Sequence, residues 1–195
     1  FVADMISSNK FDHPRTLFLV GSYTIGKEEV YLAAARASGI KVHVSAAKRR
    51  ILECLELSTG DKEMITTDSS EARIHVVPMG CINFKHLALC LKMGAGRYKT
   101  VVGIRPTGWS FASAPASSSA AASTGVEKAL GVTRHTRGSL VLYGVPYSEH
   151  SSFSELRQMV QQIGAKRIVP TVNGGSAEKR AEMLWLLTNP RPQGA

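Results

Sequence analysis

Short β-branched runs alternate with helix-length stretches along this chain, and that alternation most restricts what it can fold into. Residues Thr16–Val20, Lys41–Val44, Met64–Thr67, Arg73–Val77, Thr100–Arg105, Ser139–Tyr143 and Arg167–Val172 each read as a strand. Between them, Gly26–Ser38, Ala46–Leu55, Phe84–Met93, Phe153–Ile163 and Ser176–Leu187 carry helical patterns, and Phe1–Ile6 reads as one more helix. Strands that alternate with helices build βαβ units, so the fold class is α/β, with a mainly parallel sheet and helices on both faces.

The segment Ala112–Thr124 is almost wholly serine, alanine and proline. Such a composition buries too little apolar surface to offset its ordering entropy, so a disordered insert is expected over 111–137. It divides the chain into 1–110 and 138–188, followed by a proline-rich tail, 189–195. The chain starts at Phe1, without a methionine and inside a helical pattern, as expected of a piece of a longer protein. No apolar run reaches the 18 or so residues of a membrane span, so no membrane partner is expected. Three cysteines without CxxC spacing argue against a disulfide framework and against a thiolate zinc site. Lys and Arg number 24 against 15 Asp and Glu, a net charge of +9 that favours an acidic partner such as nucleic acid.

The chemistry concentrates in Gly144–Phe153. An apolar strand ends there, a helix follows, and His150 sits in the turn among Ser148, Glu149, Ser151 and Ser152. Carboxyl ends of strands in α/β folds are where loops carry reactive groups on a rigid support. A neutral imidazole at such a place suits metal ligation or proton transfer. Residues 21–28 come close to a phosphate-binding P-loop, strand then GxxxxGK then helix, but Glu28 stands where the Mg²⁺-binding hydroxyl belongs. A nucleotide-hydrolysing site is therefore disfavoured, while Lys27 at a helix start remains a candidate for a DNA phosphate. His43 and His75 lie in short strands and read first as packed histidines. Arg105 closes a strand and can contact phosphate. No HxH or HxxxH spacing occurs, so local sequence assembles no complete metal site.

Seven segments in this order, 21–28, 64–68, 73–79, 82–84, 105–109, 143–152 and 168–173, resemble the DNA cross-link repair nucleases of the metallo-β-lactamase fold, the Artemis- and Apollo-like group. The resemblance spans Phe1 to about Leu187 outside the insert and covers only the C-terminal portion of such a protein. It implies that 1–110 is most of a β-CASP region and that 138–188 is the closing βαβα part of the lactamase αββα fold. The His-x-His-x-Asp-His half would precede Phe1.

That resemblance further implies a metal-dependent DNA nuclease, a 5′-to-3′ exonuclease with structure-specific endonuclease action as a second capacity. It would act in the nucleus on interstrand cross-links and double-strand breaks, alongside other repair proteins. His150 matches a late histidine that completes a divalent metal site, expected to hold one or two Zn²⁺. His75 and His43 match histidines of Artemis-like members and are carried as catalytic candidates. Val172 matches a position where valine accompanies DNA and histidine accompanies RNA. Ser148, Ser151 and Ser152 are candidates for ordering His150 or a 5′-phosphate. With most ligands absent, this chain alone is expected to be inactive. The alternative is a nucleic-acid-binding module that never had the metal half.

Overall fold

The computed structural model describes residues 1–8, 13–108, 125–172 and 175–189. The order of elements begins with α1 (Val2–Ser7), a 3₁₀ turn (His13–Arg15), β1 (Thr16–Ser22), α2 (Glu28–Ser38), β2 (Val42–His43), α3 (Ala46–Glu53) and α4 (Thr59–Met64). It continues with β3 (Ile65–Thr66), β4 (Ile74–Pro78), a second 3₁₀ turn (Met79–Cys81), α5 (Phe84–Met93) and β5 (Thr100–Thr107). It ends with α6 (Gly125–Ala129), β6 (Thr133–Arg137), β7 (Leu140–Pro146), α7 (Phe153–Ile163) and α8 (Ala177–Thr188).

The strands form one sheet in the order β3-β2-β4-β1-β5-β7-β6. Every pairing is parallel except β6 with β7. All seven residues of β1 are buried, as a central strand covered on both faces requires. Phe18 and Val20 join a core with Ile6 of α1, Tyr31 and Leu32 of α2 and Leu52 of α3. Leu17 and Leu19, on the opposite face, join Ile82, Leu87 of α5 and Val101. Helices thus lie on both faces of a mainly parallel sheet, as the alternation implied.

The chain forms two compact units, Phe1–Glu149 and His150–Ala195. The boundary expected between 137 and 138 is thereby displaced, because β7 pairs with β5 over seven residues and belongs to the same sheet as β1. The insert expected over 111–137 lies outside the described residues up to Thr124; from Gly125 the chain forms α6 and then β6. That strand is a hairpin partner of β7 across Gly138–Ser139, with Arg137 opposite Leu140. Its residues, Thr-Arg-His-Thr-Arg, are polar and charged rather than apolar, which is how an edge strand discourages further pairing.

In the second unit, α7 opens on a capping box. Ser152 Oγ accepts from the Glu155 amide, and Glu155 accepts from the Ser152 amide. Helices α7 and α8 pack on each other, yet none of the described residues of this unit is buried. Phe153, Leu156, Met159 and Ile163 form an exposed stripe along α7 at helical spacing. The strand expected over Arg167–Val172 is not formed. A strand needs a partner for its backbone groups, and the described residues of this unit offer none.

Gly21 marks where β1 is approached most closely. A Cβ there would come within 2.8 Å of Met79 Sδ and 2.9 Å of Ile82 Cγ1. Gly21→Val should therefore lower stability by about 2–3 kcal/mol, the scale of overpacking in a filled core. Thermal unfolding of the variant beside the parent checks this.

Candidate functional site at the carboxyl edge of the sheet

Because the strands run parallel, their carboxyl ends collect at one edge. Ser22 stands beside Pro78, and Thr107 beside Pro146. The loop after β1 leads to α2 on one face, and the loop after β4 leads to α5 on the other. Adjacent strands whose connections depart to opposite faces leave a crevice between them, the usual ligand position in such sheets.

Lys27 organises the loop after β1. It has left-handed backbone, φ 72°, at the start of α2, and is only 5% exposed. Its amide donates to Glu149 Oε1 at 2.8 Å, and its ammonium donates to the Tyr147 carbonyl at 3.3 Å. That ammonium lies 3.7 Å from Glu149 Oε2 and 4.9 Å from the centre of the Tyr147 ring. Gly26, at φ 100°, is what lets the carboxylate in, since a Cβ there would sit 2.6 Å from Glu149 Oε2. The lysine expected to face a DNA phosphate is instead turned inward. It ties the loop after β1 to the loop after β7 and fixes the residue immediately before His150.

A second lysine reinforces the same loop. Lys48 of α3 donates to Ser22 Oγ, to the Tyr23 and Thr24 carbonyls and to Glu28 Oε1, the last at 2.8 Å. Glu28, the residue that spoils the P-loop pattern, is therefore the partner of a mostly buried cation. The buried Tyr31 hydroxyl has no hydrogen-bond partner among the described residues, and burial followed by the charge of Glu28 pushes its pKa up. Burial, then Glu149, raises Tyr147 as well.

The other candidates sit as follows. Arg105, also expected at phosphate, donates to the Ile82 carbonyl and braces the turn before α5. The Ser152 hydroxyl is engaged in capping α7, whereas Ser151 is exposed in the turn before it. Ser148 is exposed and lies against Gly108, whose added Cβ would meet Ser148 Cβ at 3.3 Å. His150 and Val172 are exposed in the second unit, Val172 at 68%. Trp109 and Asn173 of the motifs lie outside the described residues.

His43 and His75 are brought together, His43 as the last residue of β2 and His75 within β4. They are register partners on β2 and β4, with ring centres 4.7 Å apart, three residues before Pro78. His75 Nε2 lies 3.2 Å from the Ala72 carbonyl. Burial, aided by His43, lowers the His75 pKa to about 4, and burial lowers that of His43 against the opposing pull of Asp68. Both rings are thus neutral near pH 7. Among the described residues no group of three or more His, Cys, Asp or Glu is placed to hold a metal ion, so these residues alone do not form a metal site.

Residues 60–176 match the family described as DNA repair metallo-beta-lactamase, and the chain belongs to that family, whose domain is of the metallo-β-lactamase type. Among its relatives, DNA cross-link repair protein SNM1 of Arabidopsis thaliana is 42% identical over 171 residues, 87% of this chain and 33% of that protein. DNA cross-link repair 1A protein of Mus musculus is 39% identical over 171 residues, covering 88% and 16% respectively. The 5′ exonuclease Apollo of Gallus gallus is 28% identical over 162 residues, covering 83% and 28%. The chain therefore spans a third or less of the length of these relatives.

Two measurements check the site. Glu149→Ala leaves a buried ammonium without its anionic neighbour and should cost about 2–4 kcal/mol, whereas Lys27→Met with Glu149→Gln should recover part of that loss. Equilibrium denaturation of the single and paired variants reads it. The His75 ring stays neutral in the fold while an unfolded histidine protonates near pH 6.5, so protons favour the unfolded chain. Stability should be full above about pH 6.5 and should fall as pH drops from there towards about 4, by about 3 kcal/mol. His75→Gln should flatten the pH dependence of the melting temperature across that interval.

Proposed function

We propose that this chain is the C-terminal part of a metal-dependent DNA nuclease that hydrolyses phosphodiester bonds from a 5′ end, with structure-specific endonuclease action as a second capacity. What carries the reading is family membership together with the loop at the end of β7, whose Glu149 is locked to Lys27 one residue before His150. Relatives bear the names DNA cross-link repair protein and 5′ exonuclease, and these names support the reading of an activity in DNA repair. Action on cross-linked or broken DNA in the nucleus, together with other repair proteins, is part of the same proposal.

In this reading residues 1–110 are most of a β-CASP region, and 138–188 is the closing part of a lactamase fold whose remainder lies elsewhere in the protein. The core-less pair α7 and α8 supports it, since an amphipathic helix with no buried residue has its packing partner still to meet. Metallo-β-lactamase-type domains bind divalent metal, and Zn²⁺ suits a histidine-rich ligand set. His150 would supply one nitrogen, the other ligands coming from outside the described residues. Bound metal supplies an activated water and polarises the phosphate. The basic surface attracts the strand, and Val172 is proposed to favour DNA over RNA.

The test is cleavage of a 5′-phosphorylated single strand by the protein that carries the remaining lactamase half. His150→Ala should reduce cleavage by more than the roughly 100-fold seen on losing outer hydrogen-bond partners of a metal, with DNA affinity nearly unchanged. Full cleavage by the variant would overturn the assignment, and a protein without an upstream metal-binding half would leave the reading of a binding module.

A further inference from the structure

The crevice after β1 and β4 contains a cavity of about 410 Å³ whose lining includes Tyr23, Thr24, Ser45, Lys48, Val76 and Met79. Resting on the nuclease reading above, we propose that it is a subsite for one unpaired nucleobase of the DNA strand.

The size is that of a small-molecule site, with room for a base and its sugar. The position is the switch point of the sheet, walled by a loop that Lys27 and Lys48 hold in place, so the cavity is preformed. Its charge then selects the ligand. Lys48 is the charged side chain in the lining, but its ammonium is spent on three oxygens of residues 22–24 and on the Glu28 carboxylate. A compensated cation offers nothing to a phosphate, so a neutral guest is favoured.

The walls favour a flat guest. Val76, Val77, Pro78 and Ile51 contribute apolar lining, and Met79 adds a polarisable thioether. Tyr23 stands at the rim, 56% exposed, an aromatic face without the burial that would explain it as core. Stacking on such a ring is how single strands are held without sequence preference. Hydrogen bonds come from Ser45, whose oxygen accepts from the Lys48 amide and whose proton is left to donate, and from the exposed Thr24 hydroxyl. Space at Gly80, where an added Cβ would meet nothing within 4 Å, leaves one side of the mouth open.

The experiment uses the protein that carries the remaining lactamase half, with His150→Ala to prevent cleavage, and compares its binding to an oligothymidylate and to an all-abasic strand of equal length and charge. The oligothymidylate should bind at least about tenfold more tightly, the scale of one stacked base. Tyr23→Ala should abolish the difference and Tyr23→Phe should keep it; an exposed rim position leaves the fold intact in both. A single 2-aminopurine in the strand should be quenched on binding by the parent and not by Tyr23→Ala. Equal affinity for the two strands, or an indifferent Tyr23→Ala, would overturn the subsite while leaving the DNA reading in place. Binding of neither strand would overturn both.

Discussion

The structure depends on β1 being buried on both faces. A strand of seven buried residues must be covered twice, and the chain achieves this by sending the helix after β1 to one face and the helix after β4 to the other. The same arrangement opens a crevice where those two connections part. The cavity beside Tyr23 and the Lys27–Glu149 tie are therefore consequences of how the central strand is covered. Fold and site share one cause.

Within that frame, the loop after β1 shows how a phosphate-loop pattern can serve another purpose. A P-loop leaves its backbone amides and lysine turned outward to meet an anion. Here the anion is internal: Glu149 reaches the Lys27 amide and ammonium, and Gly26 leaves it room. Glu28 is likewise matched to Lys48. The two carboxylates that make the loop useless to a nucleotide are what hold it rigid, and rigidity is what a loop flanking a reactive turn needs.

Much of this was legible in residue order. The apolar run at 16–20, the helical pattern at 84–93 and the helical pattern at 153–163 each act through local sequence, and β1, α5 and α7 form there. The direction of Lys27 was not legible, because its partner lies 122 residues away and sequence spacing says nothing of it. β6 escaped for a different reason: it is an edge strand of polar and charged residues, without the apolar signal that marks a buried one. The expected strand at Arg167–Val172 failed in the opposite sense. Its β-branched residues favour extension, but propensity alone does not pair a strand, and the closing βαβα reading there depends on residues outside this chain.

That last mismatch bears on the second unit as a whole. Its helices have well-formed caps, so local signals suffice to start them, yet Phe153, Leu156, Met159 and Ile163 remain on the surface. The first unit has cores on both sheet faces. The contrast separates what the chain stabilises by itself from what it only prepares. Residues up to Glu149 make a sheet with a core on each face, whereas the described residues from His150 onward carry an exposed apolar stripe and form no strand. His150 begins this second unit, and the metal chemistry proposed for it would draw its other ligands from outside the described residues.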